Sequence, residues 1–110
     1  MAPASKKFPK LSRELISGIQ RTGKRIRGIY FTAYYKDISP ELGGFSVIVS
    51  KKAAVLAVTR NSLKRRYREI LRASLFPSTV AIIIQALKES EKASFDELKK
   101  DVGQVLSRLS

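Results

Sequence analysis

Between Lys51 and Arg72 the chain carries eight cations, Lys51, Lys52, Arg60, Lys64, Arg65, Arg66, Arg68 and Arg72, against one acid, Glu69. They supply +7 of a formal net charge of +13. Charge this dense repels itself unless a polyanion neutralises it, so RNA or DNA is the first partner these residues suggest. On a helix, basic residues three and four apart present donors about 5–6 Å from one another, a pitch that roughly matches phosphates along a strand. Arg60 can fork onto a phosphate or stack on a base. Asn61 offers a donor and an acceptor, so it suits either a helix cap or a base edge. Lys51 and Lys52, just ahead of the helix, extend the same surface.

A second basic block lies in residues 1–27, with eight cations and one acid, whereas residues 73–110 carry five of each. Two unbalanced blocks thus frame a nearly neutral scaffold, the pattern of a nucleic-acid-binding protein with a pI near 10.4. Aromatic residues add to it. In residues 27–36, Tyr30, Thr32 and Tyr34 alternate with Ile29, Phe31, Ala33 and Tyr35. An exposed tyrosine among cations is a stacking platform for unpaired bases, while covering the first helix is the structural alternative, favoured for Tyr30.

Several chemistries are excluded by composition. The chain has neither histidine nor cysteine, which removes imidazole acid–base catalysis, serine triads, thiolate metal sites and disulfides. The carboxylates Asp37, Glu41, Glu89 and Glu91 fall in loops and do not form the convergent set a two-metal nuclease requires. No apolar run reaches the length of a membrane span, and the basic residues 1–10 lack a following apolar stretch. The expectation is a soluble cytoplasmic protein with no membrane partner and no small-molecule substrate.

The elements that must position these groups are legible in outline. At 110 residues and 44% hydrophobic content the chain suits one domain, residues 11–110, preceded by a flexible basic arm, residues 1–10. Ser12 can cap a first helix over residues 13–22, with Leu11 and Ile16 as its staple, Leu15, Ile16 and Ile19 as its buried stripe and Gly23 as its stop. Residues 27–36 and 45–50 are strands joined by a hairpin loop, and residues 53–58 form a third short strand or an extended turn. The basic helix spans residues 60–74. Leu63, Tyr67, Ile70, Leu71 and Ser74 fall within about 100° of arc, Arg60, Lys64, Arg65, Arg68 and Arg72 occupy the adjacent arc of about 140°, and Arg66 lies on the far flank. Tyr67 belongs to the core stripe. After Pro77, residues 80–87 form an apolar strand covered on both faces. Ser94 and Glu97 form a capping box before a last helix with Leu98, Val102, Val105, Leu106 and Leu109 inward. The order α-β-β-β-α-β-α gives an α+β fold, a two-layer sandwich with helices on one side of a mainly antiparallel sheet.

The segment Phe45-Ser46-Val47-Ile48-Val49-Ser50-Lys51-Lys52, a short apolar link, and Arg60-Asn61-Ser62-Leu63-Lys64-Arg65-Arg66-Tyr67-Arg68-Glu69 together resemble the protein subunit of bacterial ribonuclease P. Gly23, Phe31 and Tyr34 also fall where that family has a helix-ending glycine and strand aromatics. The resemblance implies a left-handed βαβ crossover, an exception to the usual hand. It implies assembly with a catalytic RNA that removes the 5′ leader of precursor tRNA, with magnesium held mainly by that RNA and no catalytic residue on this chain. Carried over by position, Lys51, Lys52, Arg60, Asn61, Lys64, Arg65, Arg66, Arg68 and Arg72 are RNA-binding. Ile16, Gln20, Phe31, Tyr34 and Ser50 are leader-binding, in a cleft between the first helix and the sheet. The chain departs from the family pattern at Ser62, where arginine is usual, at Ile16 and Gln20, where aromatics are common, and in the link between Lys52 and Arg60, one residue longer and without its glycine. The alternatives from the residues alone are another structural RNA-binding protein such as a ribosomal component, a protein-only nuclease, and a DNA-binding module.

Overall fold

The computed structural model describes residues 13–37, 44–74 and 80–108. The basic arm, the Leu11 and Ser12 contributions to the first helix, most of the loop before Phe45, Pro77 and Leu109 lie outside the described residues. The elements run α1 (Arg13–Thr22), β1 (Lys24–Arg27), β2 (Phe31–Asp37), β3 (Gly44–Ile48), α2 (Ala57–Ala73), β4 (Val80–Ala86), a 3-10 helix (Lys88–Lys92) and α3 (Phe95–Ser107). The sheet order is β1-β2-β4-β3. β1 pairs antiparallel with β2, β2 antiparallel with β4, and β3 parallel with β4. The parallel pair follows from α2, since parallel neighbours need a long crossover between them.

β4 organises the molecule. Val80, Ile82, Ile84 and Ala86 join one cluster with Phe31, Ala33 and Val47 of the sheet, Leu63, Tyr67, Ile70 and Leu71 of α2, and Leu98, Val102 and Val105 of α3. The alternate residues Ala81 and Ile83 join Ile19, flanked by Leu15, Ile16, Tyr34 and Ile48. Because side chains alternate along a strand, these clusters lie on opposite faces. The expected element order is observed, and both faces of β4 are covered as its unbroken apolar run required. The expectation of all helices on one side is corrected: α1 packs on the face opposite α2 and α3, because Ala81 and Ile83 need a cover of their own.

Three strands precede α2, but the third is not residues 53–58. Lys24–Arg27 forms it instead, and residues 27–36 take in the last residue of β1, a tight turn and most of β2. The turn is held from α3. The buried Asp101 carboxylate accepts the Ile29 N–H at 2.9 Å and the Tyr30 N–H at 2.8 Å. Gly28 is required there by close approach, since a Cβ would stand 2.9 Å from both Asp101 oxygens. Burial first, then the negative charge of Glu97 and Asp101, raises the Tyr30 phenol above its ordinary pKa. Tyr30 therefore packs beside α3, not over α1, and it does not share a face with Tyr34. α3 itself starts as expected: Ser94 Oγ accepts the Glu97 N–H at 3.1 Å, and the Ser94 N–H donates to Glu97 Oε1 at 2.8 Å.

Two stability outcomes follow. Leu71 is fully buried, so Leu71→Ala should lower unfolding free energy by about 2–5 kcal/mol in urea titration. Asp101→Ala should cost at least about 1–3 kcal/mol and speed hydrogen exchange at the Ile29 and Tyr30 amides. Unchanged exchange there would show that the turn holds without the carboxylate.

Candidate nucleic-acid interface

The Ser-Lys-Lys segment is a turn whose geometry explains its residue types. Ser50 closes it: the Ser50 carbonyl accepts the Ala53 and Ala54 N–H groups at 3.1 Å each, and Ser50 Oγ accepts the Ala53 N–H at 3.3 Å. Ala53 and Ala54 are buried and anchor the far side. Lys51 and Lys52 occupy the two middle positions, both exposed. Arg60 then clamps the link, with Nη1 donating to the Ala54 carbonyl at 3.0 Å and the Val55 carbonyl at 2.7 Å. An arginine has five donors, so the rest of its fork remains for another acceptor. The clamp leaves Val55, Leu56 and Val58 exposed beside the cations.

α2 begins at Ala57, earlier than residue 60. Of the two roles open to Asn61, the cap falls away: Leu56 holds the N-cap position without a side-chain bond, and Asn61 is exposed within the second turn. The helix starts early because Arg60 satisfies the link and because Thr59 and Arg60 N–H both donate to the Leu56 carbonyl. No acid occupies the first turn, so the positive end of the helix dipole adds to the surrounding cations. Leu63, Tyr67, Ile70 and Leu71 face inward, and Tyr67 meets Phe31 edge-on at 5.8 Å between ring centroids. Burial raises the Tyr67 phenol well above its usual pKa. On the outward side, Asn61, Arg65, Arg68 and Arg72 are exposed along a crest about 60° wide. Lys64 and Arg66 are half-buried on its two flanks, their stems lying along the domain while the charged heads can reach water.

The second surface is the sheet face under α1. Tyr34 is half-buried there with Ile16 of α1 and Ile48 of β3. Gln20, one turn after Ile16, is half-buried. The helix ends where Gly23 passes close to β2: its N–H donates to the Ile19 carbonyl at 2.8 Å, and a Cβ would lie 2.7 Å from the Tyr35 carbonyl. Phe31 does not belong to this face. It is fully buried on the α2 and α3 side, so its expected leader-binding role is corrected; its odd-numbered position in β2 turns it away from Tyr34. Ser50 lies at the exposed turn that follows β3, where its visible bonds are those of the turn.

The sequence pattern of the Ribonuclease P family matches residues 7–110. The chain belongs to the ribonuclease P protein family. It is 40% identical over 88 residues to the ribonuclease P protein component of Thermus brockianus, covering 80% of this chain and 52% of that protein. With the component from Pseudanabaena sp. (strain PCC 6903) it shares 30% over 99 residues, 87% of this chain and 85% of that one. The chain thus spans about half the length of the Thermus relative. The ribonuclease P protein of Thermotoga maritima has the same fold, with a TM-score of 0.81 at 22% identity over 96% of this chain and 99% of that structure.

Two features of this ribonuclease P family member were missed from sequence. Asp101 stood in plain view as an acid within the apolar stripe of α3, between Leu98 and Val102, and its position is the signal of a buried partner. The Arg60 clamp had no such signal, because the same residue reads equally well as a phosphate ligand. Arg60→Ala should loosen residues 54–56, seen as faster amide exchange, with a stability loss of roughly 1–3 kcal/mol; protection unchanged from the parent would show that the clamp is dispensable.

Proposed function

We propose that this chain is the protein subunit of a cytoplasmic ribonuclease P ribonucleoprotein, which assists a catalytic RNA in removing the 5′ leader of precursor tRNA. The observation that carries this reading is the crest of α2. Asn61, Arg65, Arg68 and Arg72 project from a helix whose opposite side is locked into the core, so a row of phosphate donors is held without a search through side-chain directions. With Lys51, Lys52, Arg60, Lys64 and Arg66, this crest faces the folded catalytic RNA. Ser62, half-buried beside it, supplies no cation at the position where the family has arginine.

The leader lies across the sheet beside α1, where Tyr34 offers an aromatic edge and Ile16 and Gln20 form one wall. The Ser50 turn sets Lys51 and Lys52 at the end of that path. Bases stack on the tyrosine and the phosphates are neutralised by lysine. Among the described residues no three or more His, Cys, Asp or Glu side chains gather into a metal-holding group. In this reading magnesium is held mainly by the partner RNA, where it would activate the attacking water. The chain's own part is to neutralise phosphate charge and to place the leader. No described helix is long and apolar enough to cross a membrane.

The test is reconstitution. Added to the catalytic RNA with precursor tRNA, the chain should lower the magnesium concentration needed for cleavage and should cut nothing alone. Tighter binding to a ribosomal RNA fragment in direct competition would favour a ribosomal role instead. Arg65→Ala and Arg68→Ala should each weaken binding to the catalytic RNA and flatten the plot of log affinity against log salt by about one unit. The melting temperature should stay unchanged, since both side chains are exposed. An unaltered slope removes that residue from the interface.

A further inference from the structure

The cations of the first basic block have no role in the surface just described. Three of them, Lys24, Arg25 and Arg27, make up all but one residue of β1, the edge strand of the sheet, and all three are exposed. Their placement is specific. Arg25 stands opposite Tyr34 and Arg27 opposite Thr32. The same rows continue to Ile83 and Gln85 of β4, and then to Ser46 and Ile48 of β3. Alternation therefore puts both arginines on the α1 face, in line with Tyr34, while Ile26 turns to the opposite core. α1 covers Ala81 and Ile83 and leaves Arg27, Thr32 and Gln85 partly open.

The sheet order sets the distances. β1 is three strand spacings from β3, about 14 Å, and β3 leads directly into the turn bearing Lys51 and Lys52. The face beside α1 is thus a floor with cations on both banks and an aromatic residue between them. Along β1, Arg25 and Arg27 are about 6.7 Å apart, close to the step between successive phosphates of an extended single strand. Over residues 13–37 six cations face only two acids, Glu14 and Asp37.

We propose that the β1 edge is a second phosphate-binding bank, with Arg25 and Arg27 holding the distal nucleotides of the single-stranded leader after they have crossed Tyr34. The proposal rests on the subunit reading above and extends its leader path to the far edge of the sheet. Edge strands also carry charge to prevent pairing with other sheets, but that need is met by either sign of charge. Phosphate binding is met by only one, and charge reversal separates the two.

The experiment uses the chain assembled with the catalytic RNA and a graded series of precursor tRNAs, from mature tRNA through minimal to long leaders. R25E/R27E keeps the edge charged, and R25Q/R27Q keeps its polarity and bulk should reversal disturb folding. With the parent chain, affinity should rise as the leader lengthens past Tyr34. With either variant that late increment should vanish, and for long leaders the salt slope should flatten by about 1.4 units, two single-strand phosphate contacts. Binding of mature tRNA, binding of the catalytic RNA and the magnesium requirement with a minimal leader should stay unchanged. Equal losses at every leader length, a weakened grip on the catalytic RNA, or a full increment retained by both variants would each overturn the proposal. Failure of the parent chain to stimulate the catalytic RNA would instead overturn the subunit reading, and the proposal with it.

Discussion

A strand with no polar side has to be buried twice. Residues 80–84 of β4 are all buried, and their alternating side chains demand apolar cover above and below. α2 and α3 supply one cover and α1 the other. Once those helices are committed to β4, their remaining faces have no choice but to meet solvent or a partner. The cations are spread over α2, β1 and the link after β3 because every inward position is already taken by the isoleucines and the residues they require.

The link between β3 and α2 converts this constraint into a defined surface. Two small buried residues, Ala53 and Ala54, pin it to the core. Ser50 shapes one end and Arg60 grips the other. Its lysines are thereby fixed relative to the crest of α2, although no regular element contains them. A basic stretch without those anchors would sample many positions and lose the ordering free energy on each encounter with a partner. Part of the positive charge on this chain therefore works as internal scaffolding, as the guanidinium of Arg60 does.

Much of this was legible beforehand, and the failures share a cause. The bounds of α1, the inward stripe of α2, the capping box of α3 and the two-faced burial of β4 rest on local periodicity and capping chemistry, which a sequence states directly. β1 was invisible because Lys-Arg-Ile-Arg has one apolar residue and lies between two glycines; its strand character comes from pairing with β2, a tertiary effect. Residues 53–58 looked strand-like because they are apolar, yet exposed Val55 and Leu56 belong to a loop held by hydrogen bonds that no pattern announces. The family resemblance groups Phe31 with Tyr34 as leader-binding, although the alternation of residues 27–36 already separates them. Their separation by three positions in a strand puts them on opposite faces, an argument available from the start once the strand's limits are known.

The clasp between Asp101 and the turn at Ile29 and Tyr30 joins positions 72 and 71 residues apart. Contacts so distant along the chain close late in folding, because the intervening loop entropy must first be overcome. During synthesis the hairpin that bears Arg25, Arg27 and Tyr34 emerges well before α3 exists to fasten it. A nascent chain can thus display these cations before the turn at Ile29 and Tyr30 has its carboxylate partner.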